Sequence, residues 1–127
     1  MSTGRPAPLF DRLPPDLFRP LGSANSRRYW AVLSRLMEEM WGDGGRSPGE
    51  EAPRQVVVRM VESYLVASDP WEEDLETPVS IRSHGIVNLL TESGWLSQRR
   101  RGMVDMITVR PVIAQFYTVL CEFAEHE

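Results

Sequence analysis

The stretch from Thr77 to Arg110, TPVSIRSHGIVNLLTESGWLSQRRRGMVDMITVR, admits few folds because its local signals change type twice in a short span. Thr77 can cap a helix, and Pro78 suits a first helical position, where a missing N–H costs nothing. Ile81, Ile86, Leu89 and Leu90 supply an apolar stripe near helical spacing. Gly94 stands where a left-handed residue would end that helix. Trp95-Leu96 and Val104 to Val109 are short β-prone runs, so a strand is expected from Trp95 and a returning one to Val109. Between them lies an Arg-rich turn at Arg101-Gly102, where Gly102 supplies the positive φ of a tight hairpin turn.

The segments on either side are helical. Ser26 to Trp41 places Tyr29, Trp30, Leu33, Leu36, Met37, Met40 and Trp41 on one face, with Ser23 or Asn25 as the cap and Arg35 and Glu39 paired at i, i+4. Gly42 to Pro53 is rich in Gly, Pro and acids and is expected to be a moving loop. A second helix runs from Pro53 to about Ala67 with Val56, Val57, Met60, Val61, Tyr64 and Leu65 inward. After Val109, Pro111 opens a last helix to about Glu125. Its residues Val112, Ile113, Phe116, Tyr117, Val119, Leu120 and Phe123 cover more than half its circumference, so it crosses the core or meets a second partner. Two helices, a helix joined to a hairpin, and a closing helix follow the order of a winged-helix domain. The expected fold is mainly α with a small β-hairpin (α+β), a winged helix-turn-helix domain over residues 26–127.

Residues 1–25 are a tail and an arm. Within LFDRLPPDLFRPL, Leu9-Phe10 and Leu17-Phe18 flank Pro14-Pro15, which forbid one continuous helix. So many large apolar side chains do not suit a solvated tail. The arm therefore lies along its own domain or on a second copy. Trp30 and Trp41, three helical turns apart, share a face; core packing accounts for both, and extension into a partner groove is the alternative.

Length gives one domain, large enough to bury roughly two thirds of its unfolded surface. Cys121, the only cysteine, cannot staple the chain to itself and reads as a small buried hydrophobe. No signal peptide or membrane-length apolar run is recognisable, which makes the cytoplasm the expected location. Catalytic chemistry is not suggested. His84 and His126 are the only histidines, no grouping has metal-ligand spacing, and no Gly-rich loop cradles a phosphate. Glu72-Glu73-Asp74 reads as a solvated acidic turn, because neighbouring carboxylates lack the fixed facing geometry of a catalytic pair. No enzyme activity, cofactor or metal is expected.

Two binding functions compete. Arg99, Arg100 and Arg101 at the wing could touch DNA phosphates. Against that, the net charge is −4, the third helix has Arg82 as its one sure cation, and DPWEEDLE precedes it with five carboxylates in eight residues. Each unscreened approach of such a carboxylate to a phosphate costs roughly 0.5 kcal/mol at about 8 Å in water, and several offset what three arginines contribute. Gly85 in mid-helix points to close packing. At most a weak, non-specific DNA contact is expected. The other reading is a protein-interaction module, supported by the apolar arm, the broad first helix and the over-apolar last helix. The expected interface is a homodimer contact through Leu9, Phe10, Leu13, Leu17 and Phe18, followed by Trp30 and Trp41.

The segments LFDRLPPDLFRPLGSANSRRYWAVLSRLMEEMWGD, DPWEED, ESGWL and RRGMVDMITVRPVIAQFYTVLCEFAE resemble the N-terminal domain of the JetA family, the MukF-like kleisin subunits of Wadjet SMC-type anti-plasmid complexes. The resemblance runs from Leu9 to Glu125 and rests on running pattern, without a catalytic signature. It implies a fragment of a longer kleisin whose N-terminal winged-helix domain homodimerises and bridges two SMC units. It further implies that contacts with the SMC and accessory subunits belong to parts of the parent protein outside this chain.

Overall fold

The computed structural model describes residues 8–42, 45–67 and 77–125; the acidic stretch 69–76 and His126 lie outside them. The elements are α1 (Leu9–Arg12), α2 (Ser26–Glu39), β1 (Ala52–Pro53), α3 (Arg54–Ala67), α4 (Val79–Ser93), β2 (Ser97–Arg101), β3 (Val104–Thr108) and α5 (Pro111–Glu125). The chain is mainly helical with a small antiparallel sheet of order β1-β3-β2 among the described residues, an α+β arrangement.

One core joins every layer. Leu33 and Leu36 of α2, Val57, Val61 and Leu65 of α3, Val87 and Leu90 of α4, Ile107 of β3 and Ile113 of α5 are fully or almost fully buried. Their spacing along each helix is the 3–4 alternation that keeps side chains on one face. Two helices are rotated relative to the expected stripes. In α3, Val58 is buried and Val56 is exposed. In α4 the inward line is Ser83, Ile86, Val87, Leu90 and Ser93, while Ile81 is 61% exposed. Serine is tolerated at both ends of this line because each hydroxyl donates to a helix carbonyl, Ser83 to Val79 at 2.8 Å and Ser93 to Leu90 at 3.2 Å. Gly85 is exposed, with nothing near where a Cβ would stand, so it does not mark close packing.

The helix-to-hairpin unit forms with two shifts. At its start Pro78, not Thr77, is the N-cap, α4 begins at Val79, and no side chain caps it. The second shift is at its other end. Gly94 ends α4 at φ 100°, and the Leu96 N–H returns to the Leu90 carbonyl at 3.1 Å. Trp95 and Leu96 are therefore buried junction residues, and the strand begins only at Ser97. Arg99 to Arg101 consequently lie on β2 rather than in the turn, which is Gly102-Met103 with Gly102 at φ 62°. The expected loop before α3 also carries structure. The Gly49 N–H donates to the Val109 carbonyl at 2.8 Å, Thr108 Oγ1 and Trp41 Nε1 donate to the Glu50 carbonyl at 2.7 and 2.9 Å, and Ala52-Pro53 add a third strand beside β3.

Candidate interaction surfaces

The double proline shapes the arm. α1 lasts four residues, Leu13 takes the extended backbone (φ −115°, ψ 143°) that a following proline favours, and the chain turns back over the α4–β2 junction. There Trp95 Nε1 donates to the Leu17 carbonyl at 2.7 Å, and the Pro14 ring lies against Gly94 so closely that a Cβ would collide with it. Leu13 and Leu17 become core residues of a single copy. The arm thus lies on its own domain.

Its outer side is different. Leu9, Phe10 and Phe18 stay exposed, and Phe18 meets Phe10 edge-on at 6.2 Å and Phe116 of α5 at 5.7 Å. Trp95 stacks beneath Phe116 at 5.9 Å, fixing that ring from the core side. Between α1 and α5 runs a groove of about 170 Å³ whose walls include Leu9, Leu13, Val112, Phe116 and Val119. Val112, Phe116, Val119 and Phe123 recur at intervals that keep them on one helix face. Val119 is 53% and Phe123 is 79% exposed. The last helix buries only Ile113 fully and Tyr117 nearly so, and it therefore lies on the core instead of crossing it.

The expected interface set therefore divides. Leu9, Phe10 and Phe18 face outward. Leu13, Leu17 and Trp41 are buried in this chain. Trp30 is half-buried against Tyr117, ring centroids 5.2 Å apart. Burial, with the neighbouring Cys121 thiol, pushes the Tyr117 hydroxyl up to about 12. Cys121 itself is partly exposed rather than buried.

On the outer face of the sheet, Arg99 and Arg101 both reach Glu51. Arg99 makes a bidentate pair with it, through Nε and through Nη2 at 3.1 Å, and Arg101 Nη1 stands 3.3 Å away. The hydrogen bonds from Arg99, aided by the charges of Arg99 and Arg101, hold the Glu51 carboxyl below its ordinary 4.5 against the opposing effect of burial. Arg100 alternates to the other face, opposite Asp105 in register. On that face Arg54 binds side chains of α4 and β2: its guanidinium donates to Asn88 of α4 and Gln98 of β2 at 2.8 Å and lies 3.4 Å from His84 Nδ1 of α4. Of the polar residues that a reading helix would present to bases, His84 and Asn88 thus have Arg54 as an intramolecular partner at the surface. Glu51 and Arg54 were not apparent in the sequence, where Glu51 is indistinguishable from Glu50 in an acidic, Gly-rich run.

Among the described residues no His, Cys, Asp and Glu grouping could hold a metal, and no described helix is long and apolar enough to cross a membrane. No family model matches the chain, and no curated protein or solved structure matches it significantly.

Proposed function

We propose that this chain is a homodimerisation module, a winged-helix domain serving as the N-terminal scaffold of a kleisin in an SMC-type anti-plasmid complex of the Wadjet kind. The observation that carries the dimerisation reading is the set of exposed apolar side chains Leu9, Phe10 and Phe18 of the arm and Val119 and Phe123 of α5, on the two elements that flank the groove. Large contiguous apolar surface on a small domain marks association. The winged-helix reading is supported by the order of α2, α3, α4 and the β2–β3 hairpin, with β1 joining the hairpin from before α3. The kleisin reading is supported by the sequence resemblance from Leu9 to Glu125.

Covering this face contributes about 25 cal/mol per Å² of apolar surface, against an association cost of about 4–15 kcal/mol. Light scattering on the chain over a micromolar concentration series should show a mass approaching twice 14.5 kDa. A single-chain mass throughout the series would remove the dimer. A DNA-binding regulator is the weaker reading, since Arg99, Arg101, His84 and Asn88 each have an internal partner.

A further inference from the structure

The groove between α1 and α5 has a volume of about 170 Å³, and its walls include Leu9, Leu13, Val112 and Phe116. An apolar cavity of about 150 Å³ accepts a benzene ring. The groove is therefore of a size to seat one phenyl side chain. Phe123 stands further along α5 with 79% of its surface in solvent. It lies eleven residues from Val112, about 16 Å along the helix axis, so no chain can place Phe123 at the Val112 end of its own groove.

The helix face that carries these residues complements itself. Val112, Phe116, Val119 and Phe123 follow at intervals of four, three and four, the spacing of an apolar seam between helices. Those intervals read the same in either direction. We infer that the groove is the socket for Phe123 of a second copy, with the two α5 helices running antiparallel about a two-fold axis between Tyr117 and Thr118. This rests on the dimerisation reading and names how the copies interlock. In that register the partner's Phe123 meets Val112 and the partner's Val119 meets Phe116. A two-fold contact uses the same patch on both copies, so both grooves fill together. Charge favours the antiparallel sense. Arg12 lines the groove, is exposed and makes no ion pair with a described residue, while Glu122 and Glu125 flank Phe123. Antiparallel helices bring those carboxylates towards the cation, whereas parallel ones would set the two acidic ends side by side, and like charges in contact reject a pairing.

A double-mutant cycle on association, read by sedimentation equilibrium, tests the contact with Phe123→Ala, Val112→Ala and the two combined. Within one chain these residues are too far apart to touch, so coupling between them arises between copies. Each single change should weaken association about five-fold or more, and the combined variant should be weaker than either by less than about two-fold. Losses that multiply would overturn the inference and leave the dimer standing. A single-chain mass for the native protein at every concentration would remove the dimerisation reading, and this contact with it. Cross-linking gives a check that keeps Phe123 and Val112 intact. Gln115→Cys chains and Glu122→Cys chains, each with Cys121→Ser, are mixed and treated with a short bis-maleimide. Gln115 and Glu122 are exposed, and the antiparallel register puts one beside the other across the two copies. The mixed cross-linked dimer should form at several times the yield given by Glu122→Cys chains alone. The reverse order of yields, or no mixed product from chains that sediment as dimers, would overturn the inference.

Discussion

The face made by α1 and α5 and the outer face of the sheet leave opposite kinds of surface uncovered. On the first, Phe10, Phe18, Val119 and Phe123 project into solvent beyond a well-packed layer of Leu13, Leu17, Trp95 and Phe116. On the second, Arg99 and Arg101 are exposed yet already paired with Glu51. Charges at a surface can be satisfied by water and by each other at little net cost. Apolar groups have no such recourse; only a second surface removes them from water. The molecule therefore closes its charged face alone and leaves its apolar face uncovered.

That contrast requires the arm to be firmly seated, so that its outer side is a true surface. Leu17→Ala should have the largest effect on folding, about 3 kcal/mol, because it removes a fully buried side chain and leaves a cavity beside Trp95. A thermal melt should show a fall of roughly 10 °C; a change within about 2 °C would mean that the arm is not seated there. Gly94→Ala should cost about 2 kcal/mol. The backbone is left-handed at that position, and the new methyl group would meet the Pro14 ring. Urea denaturation measures it, and a neutral result would separate the arm from the end of α4.

The charged face predicts a smaller, pH-dependent effect. The folded pKa of Glu51 is depressed, so its ion pairs contribute stability above the ordinary carboxylate value of 4.5. That contribution is lost as pH falls through the lower folded value. Melting temperatures of the native chain and Glu51→Gln should differ slightly at pH 7 and converge in acid. A difference that persists unchanged in acid would mean that the pair does not stabilise the sheet.

The helices were legible in the sequence because apolar residues recur at helical intervals over long segments, and Gly94 and Gly102 marked the helix end and the hairpin turn. The rotation of α4 was not legible, since two buried serines take the place of apolar residues and Ile81 offers a false one. β1 is two residues long, too short for any periodicity, and includes a proline that pairs only because it lies at an edge. Of the candidate surfaces, the arm's apolar excess could be seen, but its division into a buried and an exposed side depends on the Trp95 hydrogen bond to Leu17, made across 78 residues. The pairing of Arg99 with Glu51 spans 48 residues and leaves no local signature.

Sedimentation equilibrium of three chains tests the proposed division of surfaces: the native chain, Phe123→Asp, and Arg99→Gln with Arg101→Gln. Phe123 is so exposed that its replacement should change folding stability by less than about 0.5 kcal/mol. The native chain and the double arginine variant should both approach twice 14.5 kDa, while Phe123→Asp should associate at least about ten-fold more weakly. A dimer that survives Phe123→Asp but dissociates when the two β2 arginines are removed would contradict the account.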